Sequence, residues 1–252
     1  MSTVPMPTLI LTPRFTADAQ TIWRAANELG WTVERLTSWH VPDALRGVPE
    51  PVLYLEAMMG PTLAEAFGLR LVEVPDDWLP RLPEEYRKRA VRLATLGEAR
   101  LLSEPAFVKP PNDKSFAART YLGGELPIEF PNEMPVLIAE VVSWEKEFRV
   151  FILDRELRTF SPYLRGGQLQ REAGFALEPG EKPVVTEFVG RILRDPRVDL
   201  PKAAVLDVGF IHGRGWAVVE QNAAWGSGLY GCDPAEVLEV LRHAALPHPP
   251  ES

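Results

Sequence analysis

The chain has 252 residues, of which 46% are hydrophobic and 25% charged, a composition typical of a globular protein with a substantial core. Its formal net charge of −8 argues against binding to nucleic acid through a basic surface. The single cysteine, Cys232, excludes an internal disulfide and fits a reducing compartment, where we expect the residue to be structural. The first residues lack the features of a signal peptide, and no run reaches the roughly 18 apolar residues of a membrane span. We therefore expect a cytoplasmic protein without nucleic-acid or membrane partners.

The first hundred residues alternate between short strands and helices. Apolar residues at helical spacing end at Gly30, in the position of a glycine that terminates a helix. The β-α-β-β-α-β order predicts a small lobe built on a parallel sheet. The other expected elements are strands over residues 8–13, 31–36, 51–55 and 69–74 and a short helix over 60–68.

A helix is expected from Pro83, with Tyr86, Ala90, Leu93 and Ala94 on its inner face. We place a boundary between two lobes near residue 100, which divides the chain into residues 1–100 and 101–252. The second lobe is β-rich, with strands over 106–109, 136–140, 148–153 and 157–160 and a helix over 185–192.

A capped helix is expected at the end of the second lobe. Asp233 precedes a proline and stands three residues before Glu236, the pattern of a capping box with proline at the first helical position. Apolar residues continue at helical spacing to Ala244, so we expect this helix to end the fold. The last residues, rich in proline and histidine, are expected to be frayed.

The most informative stretch consists of two apolar strands joined by a glycine-containing turn. If the turn is centred between Gly213 and Arg214, Asp207 lies directly opposite Glu220, with Cβ atoms about 4.5–5.5 Å apart. Asn222, two residues further on, points to the same face. Two carboxylates and a carboxamide form an all-oxygen site of the kind that suits Mg²⁺. The alternative is a solvated hairpin face with acidic residues placed by chance.

Two lysines are candidate phosphate ligands. Lys109 ends an apolar strand and could act as a point charge for a phosphate, although for Lys109 alone an edge lysine whose stem covers apolar surface is the more ordinary explanation. Lys114 lies in a polar turn that could fold over phosphates. That turn lacks the glycines of a phosphate-binding loop.

A third cluster begins at Glu140, which ends an apolar strand. The backbone of Val142 could pair with the edge of an adenine. Glu147 and Arg149 share one face of the following strand, and the parity of the next strand predicts Arg165 on that face too. Two arginines beside the acidic set could bind a carboxylate or a transferring phosphoryl group. An ordinary strand with an exposed Glu/Arg face is the alternative.

In this order along the chain, the candidate residues resemble the nucleotide and metal site of the ATP-grasp superfamily. The resemblance rests on Lys109, the hinge from Glu140 to Val142, Glu147 seven residues after Glu140, Asp207, and the Glu-x-Asn pair Glu220 and Asn222. Arg149 and Arg165 further resemble the clade named for two arginines and a lysine. The chain departs from the family pattern after Lys109, where a Pro-Pro-Asn-Asp-Lys segment replaces a glycine-rich lid.

The resemblance implies an α/β (α+β) ATP-grasp fold over about residues 105–245, preceded by a pre-ATP-grasp lobe. It implies that Lys109 and Lys114 bind phosphates, that Glu140, Val142 and Glu147 hold the nucleoside, and that Asp207, Glu220 and Asn222 hold Mg²⁺. The implied reaction is ATP-dependent ligation of a small-molecule or peptide carboxylate to an amine through an acylphosphate, with Arg149 and Arg165 stabilising that intermediate. A small-molecule kinase on the same fold and a non-catalytic nucleotide-binding module are the alternatives.

Overall fold

A computed structural model describes residues 6–248 of the chain. Within this range the strands form sheets of three, four and five strands and one two-stranded ribbon. None of the helices between residues 6 and 248 has both the length and the apolar character needed to cross a bilayer.

The N-terminal elements form the predicted parallel sheet. Its strand order is β2-β1-β3, and both pairings are parallel. Thr16 caps the first helix by accepting a hydrogen bond from the Ala19 N–H, and Gly30, at φ +75°, follows its end as predicted. The fourth predicted strand does not join this sheet. The elements are β1 (Thr8–Leu11), α1 (Ala17–Glu28), β2 (Thr32–Arg35), β3 (Pro51–Tyr54), α2 (Gly60–Ala66) and β4 (Leu69–Leu71).

The predicted helix from Pro83 is wrong beyond its first turn. Helix α3 (Trp78–Arg81) is followed by α4 (Glu84–Arg87), which ends at Lys88 in the left-handed conformation, φ +47°. The chain then forms strand β5 (Val91–Thr95), so Ala90, Leu93 and Ala94 do not extend the helix that holds Tyr86. These residues have helical spacing, but the segment is extended because β5 forms its backbone hydrogen bonds with residues 135–139 of a neighbouring strand. This pairing overrides the local pattern.

The second sheet has four strands in the antiparallel order β5-β8-β6-β7. Lys109 is the last residue of β6, which lies between β8 and β7. Because β5 precedes residue 100 and pairs within this sheet, the sheet begins upstream of the predicted lobe boundary, which stays a prediction. The further elements are α5 (Leu96–Ala99), β6 (Ala106–Lys109), β7 (Arg119–Tyr121) and β8 (Pro135–Ala139).

The third sheet has five antiparallel strands in the order β11-β10-β9-β12-β13. One face packs against the predicted helix α6 (Glu181–Arg194), where Phe148 and Phe188 are buried in a common core. The other face packs Phe151 and Val205 against the N-terminal lobe. The strands are β9 (Trp144–Leu153), β10 (Glu156–Arg165), β11 (Gln168–Leu169), β12 (Ala203–Ile211) and β13 (Gly215–Asn222).

The last helix, α7 (Pro234–Leu241), begins where the capping pattern predicts. The Asp233 carboxylate accepts hydrogen bonds from the N–H groups of Ala235 and Glu236. The helix does not end the fold, because β14 (Ala245–Pro247) follows and pairs antiparallel with β4. The predicted frayed end is therefore wrong for residues 245–247, and the rest of that prediction concerns residues 249–252, which lie outside the described range.

Candidate functional site

The hairpin of β12 and β13 brings the three predicted oxygen ligands together. Asp207 lies directly opposite Glu220, as predicted. The Asn222 amide nitrogen lies 3.1 Å from Oδ2 of Asp207 and 3.2 Å from Oε1 of Glu220, so all three side chains share one face. Asp207 is fully buried beneath this face.

Asp207 and Glu220 pair as predicted, although the register near the turn differs from the predicted one. Near the turn, Ile211 pairs with Gly215, so the loop is centred on Gly213 and not between Gly213 and Arg214. A β-bulge then restores the predicted pair: Val208 lies opposite Val218, Asp207 lies opposite Glu220, and Val219 is the extra residue.

Two basic side chains neutralise the two carboxylates. Arg149 on β9 donates to Asp207 from Nε at 2.9 Å and from Nη2 at 2.7 Å. Lys109, at the end of β6 in the neighbouring sheet, forms an ion pair with Glu220. Burial lowers the pKa of Arg149, but the Asp207 carboxylate outweighs this and keeps the guanidinium charged. Burial raises the pKa of Asp207, and the charge of Glu220 adds to that effect.

Glu147 lies beside this cluster on β9. Its carboxylate accepts a hydrogen bond of 2.9 Å from the Tyr163 hydroxyl. Burial raises the pKa of Glu147 to about 7, against the hydrogen bond from Tyr163, and the charges of Asp207 and Glu220 raise it further. A carboxyl group that titrates near neutrality is therefore part of the site.

Aromatic rings enclose the Arg149 guanidinium. The rings of Tyr163 and Tyr230 stack with centroids 4.9 Å apart, and the Arg149 Cζ lies 5.5 and 4.8 Å from these centroids. Sequence reasoning missed both tyrosines as site residues. For Tyr163 the only signal is its place two residues before Arg165, and nothing local marks Tyr230.

The predicted position of Arg165 is wrong. A bulge at Tyr163 shifts the register of β10, so Arg165 lies opposite Lys146 and occupies the face of the sheet away from Arg149. There the guanidinium makes two hydrogen bonds with Glu181, at 2.7 and 2.8 Å. Lys146 also donates to Glu181 at 3.1 Å. The structure thus brings Arg149, and not Arg165, to the acidic cluster.

The hinge between β8 and β9 is anchored by Glu140. Its carboxylate forms an ion pair with Arg214 of the β12–β13 loop and accepts a 3.3 Å hydrogen bond from the Ala90 N–H, and these contacts lower its pKa to about 2. Val142 follows in an irregular segment. Within residues 6–248, neither its N–H nor its carbonyl has a hydrogen-bond partner.

The segment after Lys109 is held to the segment between β4 and α3. The Asn112 amide donates to the Val74 carbonyl at 2.8 Å and to Asp76 at 2.7 Å. Lys114, two residues further on, is exposed and is not part of the cluster.

The glycine-containing segment beyond Asn222 is an ordered turn. Residues Ala224–Gly226 form a 3-10 turn in which Trp225 is buried against Gly60. The Gly228 carbonyl accepts a 3.1 Å hydrogen bond from Arg149, and the Leu229 N–H donates to Asp18 of α1 at 3.0 Å. This turn connects the arginine to the carboxyl edge of the parallel sheet.

The donor set fits a hard divalent cation. Within the described residues no three side chains of Asp, Glu, His or Cys form a metal-binding group, so the candidate set is two carboxylates and one amide. The two ends of an amide are nearly isosteric, and rotation of the Asn222 amide would turn its oxygen toward the same point as the carboxylates. Three oxygen donors, with the remaining positions left to water and phosphate oxygens, would match the coordination of Mg²⁺.

Solved structures with the same architecture include enzymes of the ATP-grasp class. D-cycloserine synthetase DcsG is similar with a TM-score of 0.61 and 15% identity over 94% of this chain and 98% of that chain. D-alanine–D-alanine ligase from Bacillus anthracis is similar with a TM-score of 0.58 and 12% identity over 95% and 97% of the two chains. The ATP-grasp ligase PsnB, complexed with a minimal precursor, Mg and ADP, has a TM-score of 0.51 and 11% identity over 96% and 98%. At these identities the likeness shows the fold.

The family is defined by a match of the sequence itself. Residues 86–240, more than half of the chain, match the model of the ATP-grasp domain, family 2 of the clade named for two arginines and a lysine. The chain belongs to this family of the ATP-grasp superfamily, as its ordered site residues predicted. No curated protein matches it.

Proposed function

We propose that the protein is an ATP-dependent carboxylate–amine ligase that forms an amide or peptide bond and releases ADP and phosphate. The observation that carries the proposal is the convergence of side chains from two sheets. Lys109 of the four-stranded sheet meets Glu220 of the five-stranded sheet, beside Asp207. A site at the seam between two sheets can enclose a nucleotide between them.

We propose that Asp207, Glu220 and Asn222 hold Mg²⁺ and that Lys109 binds the phosphates. PsnB, which shares the fold, holds Mg and ADP, in agreement with this assignment. When bound, Mg²⁺ would neutralise phosphate charge and polarise the transferring phosphoryl group. Lys109 would then exchange its present partner, Glu220, for a phosphate oxygen.

The nucleoside is assigned to the hinge and to the adjoining strand. The unpaired backbone groups of Val142 offer the donor and acceptor that an adenine edge requires. Glu147, partly buried on the site face, is proposed to accept hydrogen bonds from the ribose hydroxyls. Glu140 fixes the hinge through Arg214 and Ala90.

Arg149 is assigned to the substrate side of the site. In the first step a substrate carboxylate oxygen forms a bond to the γ-phosphorus while the bond to the β-phosphate oxygen breaks and ADP leaves. In the second step an amine attacks the acyl carbon, phosphate leaves with the bonding electrons, and the amine loses a proton. The buried guanidinium, already fixed by Asp207 and Gly228, would stabilise the negative charge of the acylphosphate without reorganisation.

The two remaining candidates receive different roles. Arg165 pairs with Glu181 on the opposite face, and we assign it no part in the reaction. Lys114 is exposed in a segment that follows the strand end, and we propose that it reaches the phosphates only when nucleotide is present.

The test is a screen of amines, carboxylates and short peptides with ATP and Mg²⁺, followed by ADP release and product mass. An amide product with one ADP and one phosphate per bond is expected. The Glu220→Gln variant should lose turnover, whereas the matched Glu145→Gln variant, at an exposed position of β9, should not. A stable phosphoester product would identify a kinase instead. ATP binding without ADP release across the screen would identify a nucleotide-binding module.

A further inference from the structure

Arg89 is a buried arginine that the site described above does not use. It lies between α4 and β5, and only 8% of its surface is exposed. One Nη atom donates to the Val218 carbonyl at 2.7 Å, and the other donates to the Val219 carbonyl at 2.7 Å. The guanidinium also lies 5.0 Å from the ring centroid of Trp144. Burial lowers the pKa of Arg89 to about 10, so it stays charged at neutral pH.

The two carbonyls that Arg89 contacts belong to the bulge of β13. Successive carbonyls of a regular strand point to opposite edges, so one side chain at one edge does not reach both. The extra residue Val219 interrupts that alternation. Because β13 is the edge strand of its sheet, its outer side is open to Arg89.

The bulge decides which face Glu220 occupies. Val218 points into the core shared with α6, and in an uninterrupted strand Glu220 would point the same way. With Val219 as an extra residue, Glu220 turns to the site face and lies opposite Asp207. The position of Asn222, two residues on, depends on the same extra residue.

We propose that Arg89 is a positioning residue for the metal site: by binding the carbonyls of Val218 and Val219 it fixes the bulge that keeps Glu220 and Asn222 on the same face as Asp207. This proposal rests on the metal assignment in the proposed function. Among the described residues, Arg89 donates its hydrogen bonds to backbone carbonyls alone, those of Arg87, Val218 and Val219.

The test measures Mn²⁺ binding in the presence of ADP, by the loss of the free Mn²⁺ electron paramagnetic resonance signal. Arg89→Met is expected to weaken Mn²⁺ binding by about 10- to 100-fold, the usual effect of removing a group that orients metal ligands. Arg89→Lys should recover part of the loss, since an ammonium can reach one carbonyl. Arg92→Met, at an exposed position of β5, is the control and should bind as the wild type does.

Deletion of Val219 distinguishes positioning from general destabilisation. If Arg89 acts through the bulge, Arg89→Met should add no further loss of Mn²⁺ affinity in the deletion background. Additive losses, or wild-type Mn²⁺ affinity in Arg89→Met, would overturn the proposal.

A second readout separates this proposal from the metal assignment. Hydrogen exchange of residues 216–222 in the metal-free protein should be faster in Arg89→Met than in Arg92→Met, and equal rates would overturn the role of Arg89. If the wild type itself binds no Mn²⁺ with ADP, the metal assignment fails while the exchange comparison still decides whether Arg89 holds the bulge.

Discussion

Lys109 and Glu220 belong to different sheets, and their ion pair joins the end of β6 to β13 at the candidate metal site. The Lys109 ammonium group is therefore paired with a carboxylate that is assigned to Mg²⁺. Cations and nucleotide are expected to bind together, because a phosphate would give Lys109 an alternative partner and free Glu220 for the metal.

Replacing Lys109 with methionine should separate its effect on metal binding from its effect on nucleotide binding. Without the competing ammonium, Mn²⁺ alone should bind about tenfold more tightly, as expected for the loss of one charged hydrogen bond. ADP affinity should fall, since the phosphates lose a counter-ion. The measurement is a Mn²⁺ titration with and without ADP, with Lys202→Met, at an exposed lysine just before β12, as control. Unchanged Mn²⁺ affinity in Lys109→Met would contradict the exchange of partners.

The raised pKa of Glu147 predicts how stability depends on pH. The native carboxyl keeps its proton up to about pH 7, whereas the unfolded one releases it near 4.5. The native state thus binds more protons between these pH values, and stability falls as the pH rises through this window. Glu147→Gln should remove that dependence and gain about 3 kcal/mol over the wild type at pH 8. Urea unfolding at a series of pH values measures it. An equal pH slope in both proteins would refute the shift.

The contacts of Glu181 predict a structural role for its partner Arg165. Burial opposes ionisation of Glu181, but hydrogen bonds led by Arg165 lower its pKa to about 2. The ionised carboxylate therefore stabilises the fold above about pH 4.5, and this contribution is lost as the pH falls toward 2. Glu181→Gln should cost about 3 kcal/mol at pH 7, measured by urea unfolding, and the difference from the wild type should shrink as the pH falls toward 2.

Thermal unfolding and ADP binding of an Arg165 variant test whether this residue takes part in the reaction. Arg165→Met should lower the melting temperature and leave ADP affinity unchanged. If it abolished turnover at an unchanged melting temperature, Arg165 would belong to the reaction after all.

Gly209, which pairs with Glu147, offers a test of the packing beside the site. A Cβ at this position would lie 2.7 Å from the Lys146 carbonyl oxygen and 2.7 Å from the ring of Trp144. Gly209→Ala should therefore displace Trp144, change the tryptophan fluorescence and cost about 1–3 kcal/mol. Gly124→Ala, where a Cβ meets nothing within 4 Å, is the matched control. Equal stability of the two variants would show that the strand adjusts freely.

The sequence predicted the acidic hairpin well because its strands are long apolar runs joined by a glycine-containing turn. It predicted Asp207 opposite Glu220, but from a turn centre that the structure does not adopt. The bulge at Val219 compensated for the difference. The bulge at Tyr163 had the opposite effect and moved Arg165 to the other face. A bulge adds one residue and reverses the parity of everything beyond it, and no local pattern in the chain marks it.

Long-range contacts were harder to predict than local elements. The spacing of Tyr86, Ala90 and Ala94 resembled a helix, whereas pairing with β8 made β5 a strand. The order of the site residues predicted the family, but it carried no information on their partners. Lys109 contacts Glu220 across 111 positions in the chain, a contact that depends on how the two sheets meet.

The N-terminal lobe is completed by elements from the end of the chain, because β14 pairs with β4 and α7 packs into the core of the lobe. The core of the parallel sheet contains Val237 and Leu241 of α7 together with Val205 of β12. A fragment of residues 1–100 would lack these core residues, so we expect that the N-terminal lobe does not fold on its own. Calorimetry should register that lobe and the five-stranded sheet as a single cooperative unit. The four-stranded sheet has a further small core around Val108 and Phe116, but Val91 and Leu137 of its strands pack into the core of the five-stranded sheet, so we expect it to unfold with the rest.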